Sequence, residues 1–320
     1  MIKYLSPTSI QAWRADKEEF YLKYIAKDRP PRFPQTQAMS VGSSFDAHVK
    51  SYLYEKLVGD SNPKFEFDAL FEAQVEPQNR DKGKRDGRVV MERYRELGCL
   101  ADLMLMLESG NPRFEFTVSD EENNITKQYE GKDGDGDTNP LVLLGKPDAY
   151  FTDRFGNDII LDWKVNGFYG SRVTSPVKGY TRLRPGGACH RNAQVMEYSG
   201  VMINVAQTLD VCSEAWALQT TIYSWLCGAQ IGSNFLVAID QIVGSEACGL
   251  RVAEHRGLVS PEYQKRLYQE CKQIWEIVNS NHIFRELGIG ESQARCEVLD
   301  GQAAGLREGG DWFSQATRGV

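Results

Sequence analysis

Asp148, Asp162 and Lys164 are the residues whose types and spacing point to chemistry. Asp162 and Lys164 stand two apart in the apolar run DIILDWKV, so on a strand they share one face while Trp163 and Val165 take the other. Ile159, Ile160 and Leu161 bury the approach, and a charged pair at the end of such a run is costly unless something compensates it. The preceding segment, LVLLGKPDAYF, carries Asp148 after Gly145 and Pro147, and the connection TDRFGN suits a hairpin turning near Phe155 and Gly156. That hairpin sets Asp148 opposite Asp162 and Lys164. Two carboxylates offer Mg²⁺ or Mn²⁺ hard oxygen ligands and leave positions for water and a phosphate oxygen. Such an ion lowers the pKa of bound water and offsets charge in a phosphoryl transition state. Lys164 can orient the attacking water or stabilise that charge. The plain alternative is a structural Asp–Lys pair at a sheet edge.

The elements that must position these residues follow from periodicity. Residues 7–26 space Ile10, Trp13, Phe20, Tyr21 and Tyr24 as a helix does, with Ser6 or Thr8 as cap, and DRPPRFPQT ends it. A second helix is expected after Gly42, with Phe45, Val49, Tyr52 and Leu53 on its apolar side. Residues 60–110 read as helical, interrupted by EPQNRDKGKRDGR. Strands are expected in RFEFTV, ITKQYEG, LVLLGKPDAYF and DIILDWKV. Residues 166–190 are irregular, glycine-rich and basic. Helices are expected near 191–206 and 213–229, strands at NFLVAIDQIV and GLRVAEH, and a long helix from Ser260 to about Asn279.

This order predicts one α/β protein: a helical N-terminal part over 1–112, a core over 113–300 with a basic insertion at about 166–212, and a polar tail over 301–320. The densest basic stretch holds Arg80, Lys82, Lys84, Arg85, Arg88, Arg93 and Arg95. It is either a solvated helix entry or a phosphate contact.

Composition narrows the classes. A net charge of −7 disfavours a protein that coats nucleic acid, but an enzyme can gather acids round a metal and set basic groups beside it. No apolar run is long enough to span a membrane. The opening MIKYLSPTSIQAW lacks the pattern of a secretory signal, so cytoplasmic residence is expected. Cys99, Cys189, Cys212, Cys227, Cys248, Cys271 and Cys296 are dispersed, which argues against a zinc ribbon or a disulfide framework. Asp133, Asp135 and Asp137 hint at a calcium loop, but Thr138 and Leu144 stand where that loop needs glycine and glutamate, so a plain turn is expected. Trp216, Trp225 and Trp275 read as helix packing.

GKPDAYF followed by ILDWKVNG resembles the PD-(D/E)XK nuclease superfamily, and within it the RecB-like exonucleases and their phage-encoded relatives. There a Pro-Asp precedes an apolar strand ending in D-x-K, and here Pro147-Asp148 and Asp162-Trp163-Lys164 stand in that order. The segment LSPTSIQAWRADKEEFYLKYIA is similar to the group's opening helix, with Asp16-Lys17 where Cys-Pro is often found. The group usually places a metal-binding His four residues after a glycine. VGSSFDAHV has Asp46 at that place and His48 two further on. On a helix the two point about 200° apart, so only one can face the site. Register and hard-cation chemistry favour Asp46 as ligand, with His48 the alternative.

The group also carries a helical Q-x-x-x-Y that faces the site. Gln194–Tyr198 and Gln219–Tyr223 both have this spacing, which puts both side chains on one helical face. The second pair, in EAWALQTTIYSWLCG, fits the group's arrangement better. The segment between would then be an insertion whose Arg172, Lys178, Arg182, Arg184 and Arg191 could line a nucleic-acid path. A polar surface loop is the alternative.

The resemblance implies a restriction-endonuclease-like mixed sheet flanked by helices and a Mg²⁺- or Mn²⁺-dependent nuclease acting on DNA, as an exonuclease in recombination, repair or phage DNA processing. Asp148 and Asp162, helped by Asp46, would hold the ion. Lys164 would assist the water, and Gln219 and Tyr223 would position substrate or Lys164. Arg80, Lys82, Lys84, Arg85, Arg88, Arg182 and Arg184 would grip the backbone. Some relatives hold an iron–sulfur cluster through one early and three late clustered cysteines. None precedes Cys99 here, so no cluster is expected. A phage-encoded chain would work in the host cytoplasm, with a recombination or replication protein as a possible partner. The rivals are an endonuclease, or a nuclease for RNA or branched DNA, with the same centre, and a protein that holds nucleic acid without cutting.

Overall fold

The computed structural model describes residues 2–59, 62–108, 110, 112–114, 126–129 and 141–280. The aspartates at 133–137, the end of the RFEFTV run, Cys296 and the tail over 301–320 lie outside the described residues.

The protein is α/β, with a mixed six-stranded sheet between two helical layers. The helices of the N-terminal part are α1 (Pro7–Ala15), α2 (Lys17–Tyr24), α3 (Gln37–Leu57), α4 (Phe67–Gln74), α5 (Arg80–Glu96) and α6 (Cys99–Glu108). The strands β1 (Arg113–Phe114), β2 (Thr126–Tyr129), β3 (Leu141–Leu144), β4 (Ala149–Thr152), β5 (Asp158–Asn166), β6 (Arg182–Arg184), β7 (Val195–Tyr198) and β8 (Val201–Asn204) follow. Then come α7 (Leu209–Cys212), α8 (Glu214–Leu226), β9 (Leu236–Val243), β10 (Arg251–Leu258) and α9 (Pro261–Asn279). The sheet order is β1-β4-β5-β9-β10-β6, with β5 and β9 parallel and the other neighbours antiparallel. Among the described residues no helix is long and apolar enough to cross a membrane.

The central strands read as continuous apolar runs because both their faces are covered. On one face Ile160, Val237 and Ile239 pack with Ile10 and Trp13 of α1, Leu218 and Ile222 of α8, and Leu267 and Ile274 of α9. On the other, Ile159, Leu161, Trp163 and Ala238 pack with Phe45 and Val49 of α3, Val90 and Tyr94 of α5, and Leu103 of α6. β5 is thus the partition between two cores, and its polar residues must find partners inside the protein.

Several boundaries differ from the sequence reading, each for a local reason. The helix expected over 7–26 breaks at Asp16, whose extended backbone (φ −157°) ends α1 while its side chain accepts from Glu18 and Glu19 N–H to start α2. α3 begins before Gly42, at Gln37, capped by Thr36. RDKGKRDGR does not interrupt a helix but opens α5. Gly87 lets α5 approach Ser44 of α3 more closely than a Cβ would allow, and Gly83 sits close against Ser40. LVLLGKPDAYF is two strands: β3 pairs with β2 in a separate ribbon, and β4 joins the main sheet.

Residues 191–206 are not a helix. QVMEYSGVMIN alternates, and Ser199 and Gly200 both take positive φ (46° and 79°), so the chain reverses as the β7–β8 hairpin. Gln194 and Tyr198 therefore do not share a helical face.

Candidate functional site

β5 presents Asp162 and Lys164 on the face covered by α8. Asp162 is 2 % exposed, and its Oδ2 lies 2.5 Å from Lys164 Nζ in an ionic contact. Oδ2 is buried and makes no hydrogen bond beside this ionic contact. One turn and a half into α8, Gln219 donates from Nε2 to Asp162 Oδ1 (3.2 Å) and to Tyr223 Oη (3.0 Å), and accepts at Oε1 from Lys164 Nζ (2.9 Å). The amide has one usable orientation, because the reverse would point its NH₂ at the ammonium.

Asp148 is placed one residue before β4, whose Ala149 pairs with Leu161. Its Oδ2 accepts from Trp163 N–H at 3.1 Å, which brings the carboxylate beside Asp162. Pro147 lacks a backbone donor, and Gly145 lies under Tyr223, where a Cβ would come 2.6 Å from the ring. The GKPD segment is thus clamped between α8 and the β4–β5 pair. Burial first, and then the charge of Asp148, pushes the Asp162 carboxyl well above the usual carboxylate range, against the pull of Lys164. Two carboxylates in close approach, one with a buried oxygen lacking a hydrogen bond, are a donor set that suits a hard divalent cation.

Asp46 reaches the same region from α3, but through an intermediary. Lys50, 1 % exposed, lies with Nζ 2.8 Å from Asp46 Oδ2 and 3.6 Å from Asp148 Oδ1. Asp46 Oδ2 also accepts from Gln74 Nε2 at 3.0 Å. Asp46 therefore engages a lysine, and among the described residues no three His, Cys, Asp or Glu side chains form a metal-binding group. His48 points elsewhere: it stacks on Phe67 with centroids 3.9 Å apart. Burial, and then Arg88 and Lys84, lower its pKa to about 4. It is not brought to the carboxylates.

The basic candidates are mostly committed locally. Arg80 donates to the carbonyls of Glu72 and Val75, Lys82 to Gln37, and Lys84, Arg85 and Arg88 pair with Asp68, Asp86 and Glu92. Lys84, Arg85 and Arg88 stay exposed along an open groove of about 1200 Å³ beside His48 and Phe67, but Glu55, Asp68, Glu72, Asp81 and Glu92 line it too. Arg182 remains half-exposed beside Asp102. Arg184 is a correction. It is buried, pairs with Glu254 and Asp102 and donates to Leu97 O, so it ties β6 to β10 and α6 and cannot reach a phosphate.

Sequence reasoning missed Lys50, and it named Gly145 by position without its packing under Tyr223. Lys50 follows Asp46 by four residues, a spacing that on most helices marks a solvated ion pair. Only the apolar neighbours Val49 and Leu53 hint that this face is buried. It also missed the buried Tyr94–Asp240–Arg256 chain behind Trp163.

No family model matches the sequence, and no curated protein matches it.

Proposed function

We propose that the protein is a divalent-metal-dependent nuclease that hydrolyses DNA phosphodiester bonds, with Asp148, Asp162 and Lys164 at its centre and a restriction-endonuclease-like core. The observation that carries this reading is the approach of Asp148 to the Asp162–Lys164 pair, with Gln219 joining Asp162 to Lys164.

Asp148 and Asp162 would hold Mg²⁺ or Mn²⁺, which supplies Lewis-acid charge and an acidified water. The chain's own part is orientation. Tyr223 and Asp162 fix the Gln219 amide, whose Oε1 fixes Lys164 Nζ. Lys164 is about a quarter exposed, so its ammonium can donate to a scissile phosphate oxygen or hold the attacking water. Trp163 N–H holds Asp148 against rotation away from Asp162. The half-exposed Arg182 and the α5 cations Lys82, Lys84, Arg85 and Arg88 are the candidates for backbone grip, by exchanging their present carboxylate or amide partners for phosphates.

The motif order Pro147-Asp148, Asp162-x-Lys164 and Gln219-x-x-x-Tyr223 favours the RecB-like exonuclease group, and with it action from a DNA end. Incubation with Mg²⁺ or Mn²⁺ on linear and covalently closed circular DNA tests this. An exonuclease degrades the linear form and spares the circle, whereas an endonuclease nicks both. A protein that binds without cutting leaves both intact.

A further inference from the structure

We propose that Lys50 is a fixed counter-cation of the centre, which holds Asp46 and Asp148 and restricts the site to a single divalent ion. The proposal rests on the metal-dependent reading above.

An ammonium with almost no exposure is retained only where carboxylates compensate its lost hydration. Lys50 has Asp46 within reach at 2.8 Å and Asp148 at 3.6 Å. Asp46 Oδ2 is further committed to Gln74. Asp148 turns Oδ2 to Trp163 N–H and Oδ1 toward Lys50. The ammonium thus occupies the space where a second ion bridging Asp46 and Asp148 would have to sit.

Charge acts in the same direction. A second divalent ion between Asp46 and Asp148 would lie against the Lys50 ammonium, and like charges that close repel strongly where burial limits screening by water. Two-metal centres set their ions about 3.5–4 Å apart between shared carboxylates, and here a side chain of the protein supplies one of the two positive centres.

The test is Mn²⁺ binding to the full chain, read by the electron paramagnetic resonance of free Mn²⁺ and by titration calorimetry, without substrate. Wild type is expected to bind one ion. Lys50→Met should bind two, the first at least about tenfold tighter, because the repelling charge is gone. Lys50→Arg should keep a single ion. Should Lys50→Met be poorly folded, the charge-neutral double variant Lys50→Met/Asp46→Asn carries the test, and it should bind one ion with near wild-type affinity.

Two ions in wild type, unchanged binding in Lys50→Met, or lost binding in the double variant would each overturn the role of Lys50 while leaving the nuclease reading standing. Absence of Mn²⁺ binding in wild type and in every variant would remove both.

Discussion

Gln219 Oε1 accepts a 2.9 Å hydrogen bond from Lys164 Nζ, and the same amide donates to Asp162, so one side chain on α8 sets both ends of the Asp-x-Lys pair. Replacing Gln219 by Leu keeps the volume and removes both contacts. Turnover on end-labelled DNA should fall by about 10–100-fold, as for other groups that orient a ligand or catalytic side chain. The thermal midpoint should move little. A midpoint that falls in step with activity would assign Gln219 a structural role alone.

Gly145 lies beneath the ring of Tyr223. Gly145→Ala should destabilise the protein by about 1–3 kcal/mol through overpacking and should lower activity by displacing Tyr223 from Gln219. The double variant Gly145→Ala/Tyr223→Leu should regain stability relative to Gly145→Ala, because the smaller side chain makes room. Urea unfolding of the three proteins measures this, and additive losses would contradict the contact.

His255 is buried against Trp216 and Tyr180, and burial, helped by Arg256, lowers its pKa to about 3. In the unfolded chain its imidazole takes a proton below about pH 6.5. Between these values the unfolded state binds more protons, so stability falls as pH falls from about 6.5 toward 3. His48, lowered to about 4, acts in the same direction. Between about pH 7 and pH 5, His255 should cost on the order of 2 kcal/mol. Chemical unfolding at both pH values should show a smaller acid loss in His255→Gln than in wild type, and equal losses would refute the assignment.

Arg184 joins Glu254 of β10 to Asp102 of α6. Arg184→Met leaves the nearly buried Glu254 without that charge and should destabilise the fold by about 3 kcal/mol. The dependence of DNA affinity on salt should stay as in wild type, since Arg184 has no access to phosphate. A flatter salt dependence would restore it to the nucleic-acid path.

Much of this architecture is legible in the sequence, and the exceptions have physical causes. Asp162 and Lys164 announce themselves because β5 is apolar up to the charged pair, and the two-residue period then fixes their shared face. Gln219 and Tyr223 are legible because α8 is a regular helix. The β7–β8 hairpin was missed because its turn needs a non-glycine residue, Ser199, at positive φ, which composition does not signal. The cations of 80–88 read as a basic patch, but their acidic partners come partly from other segments, such as Asp68, that no local window joins to them. Lys50 was hidden for the opposite reason. Its partner Asp46 is one turn away, and only the fold makes that ordinary spacing a buried contact beside Asp148.

The central claim is that Asp148, Asp162 and Lys164 act together on a phosphodiester bond. Its most direct test is cleavage of end-labelled duplex DNA by purified wild type and Lys164→Met, with Mg²⁺ and with chelator. Metal-dependent cleavage by wild type, reduced at least about a hundredfold in the folded variant, is the predicted result. Cleavage that survives the loss of Lys164, or none from wild type with either Mg²⁺ or Mn²⁺, would contradict it.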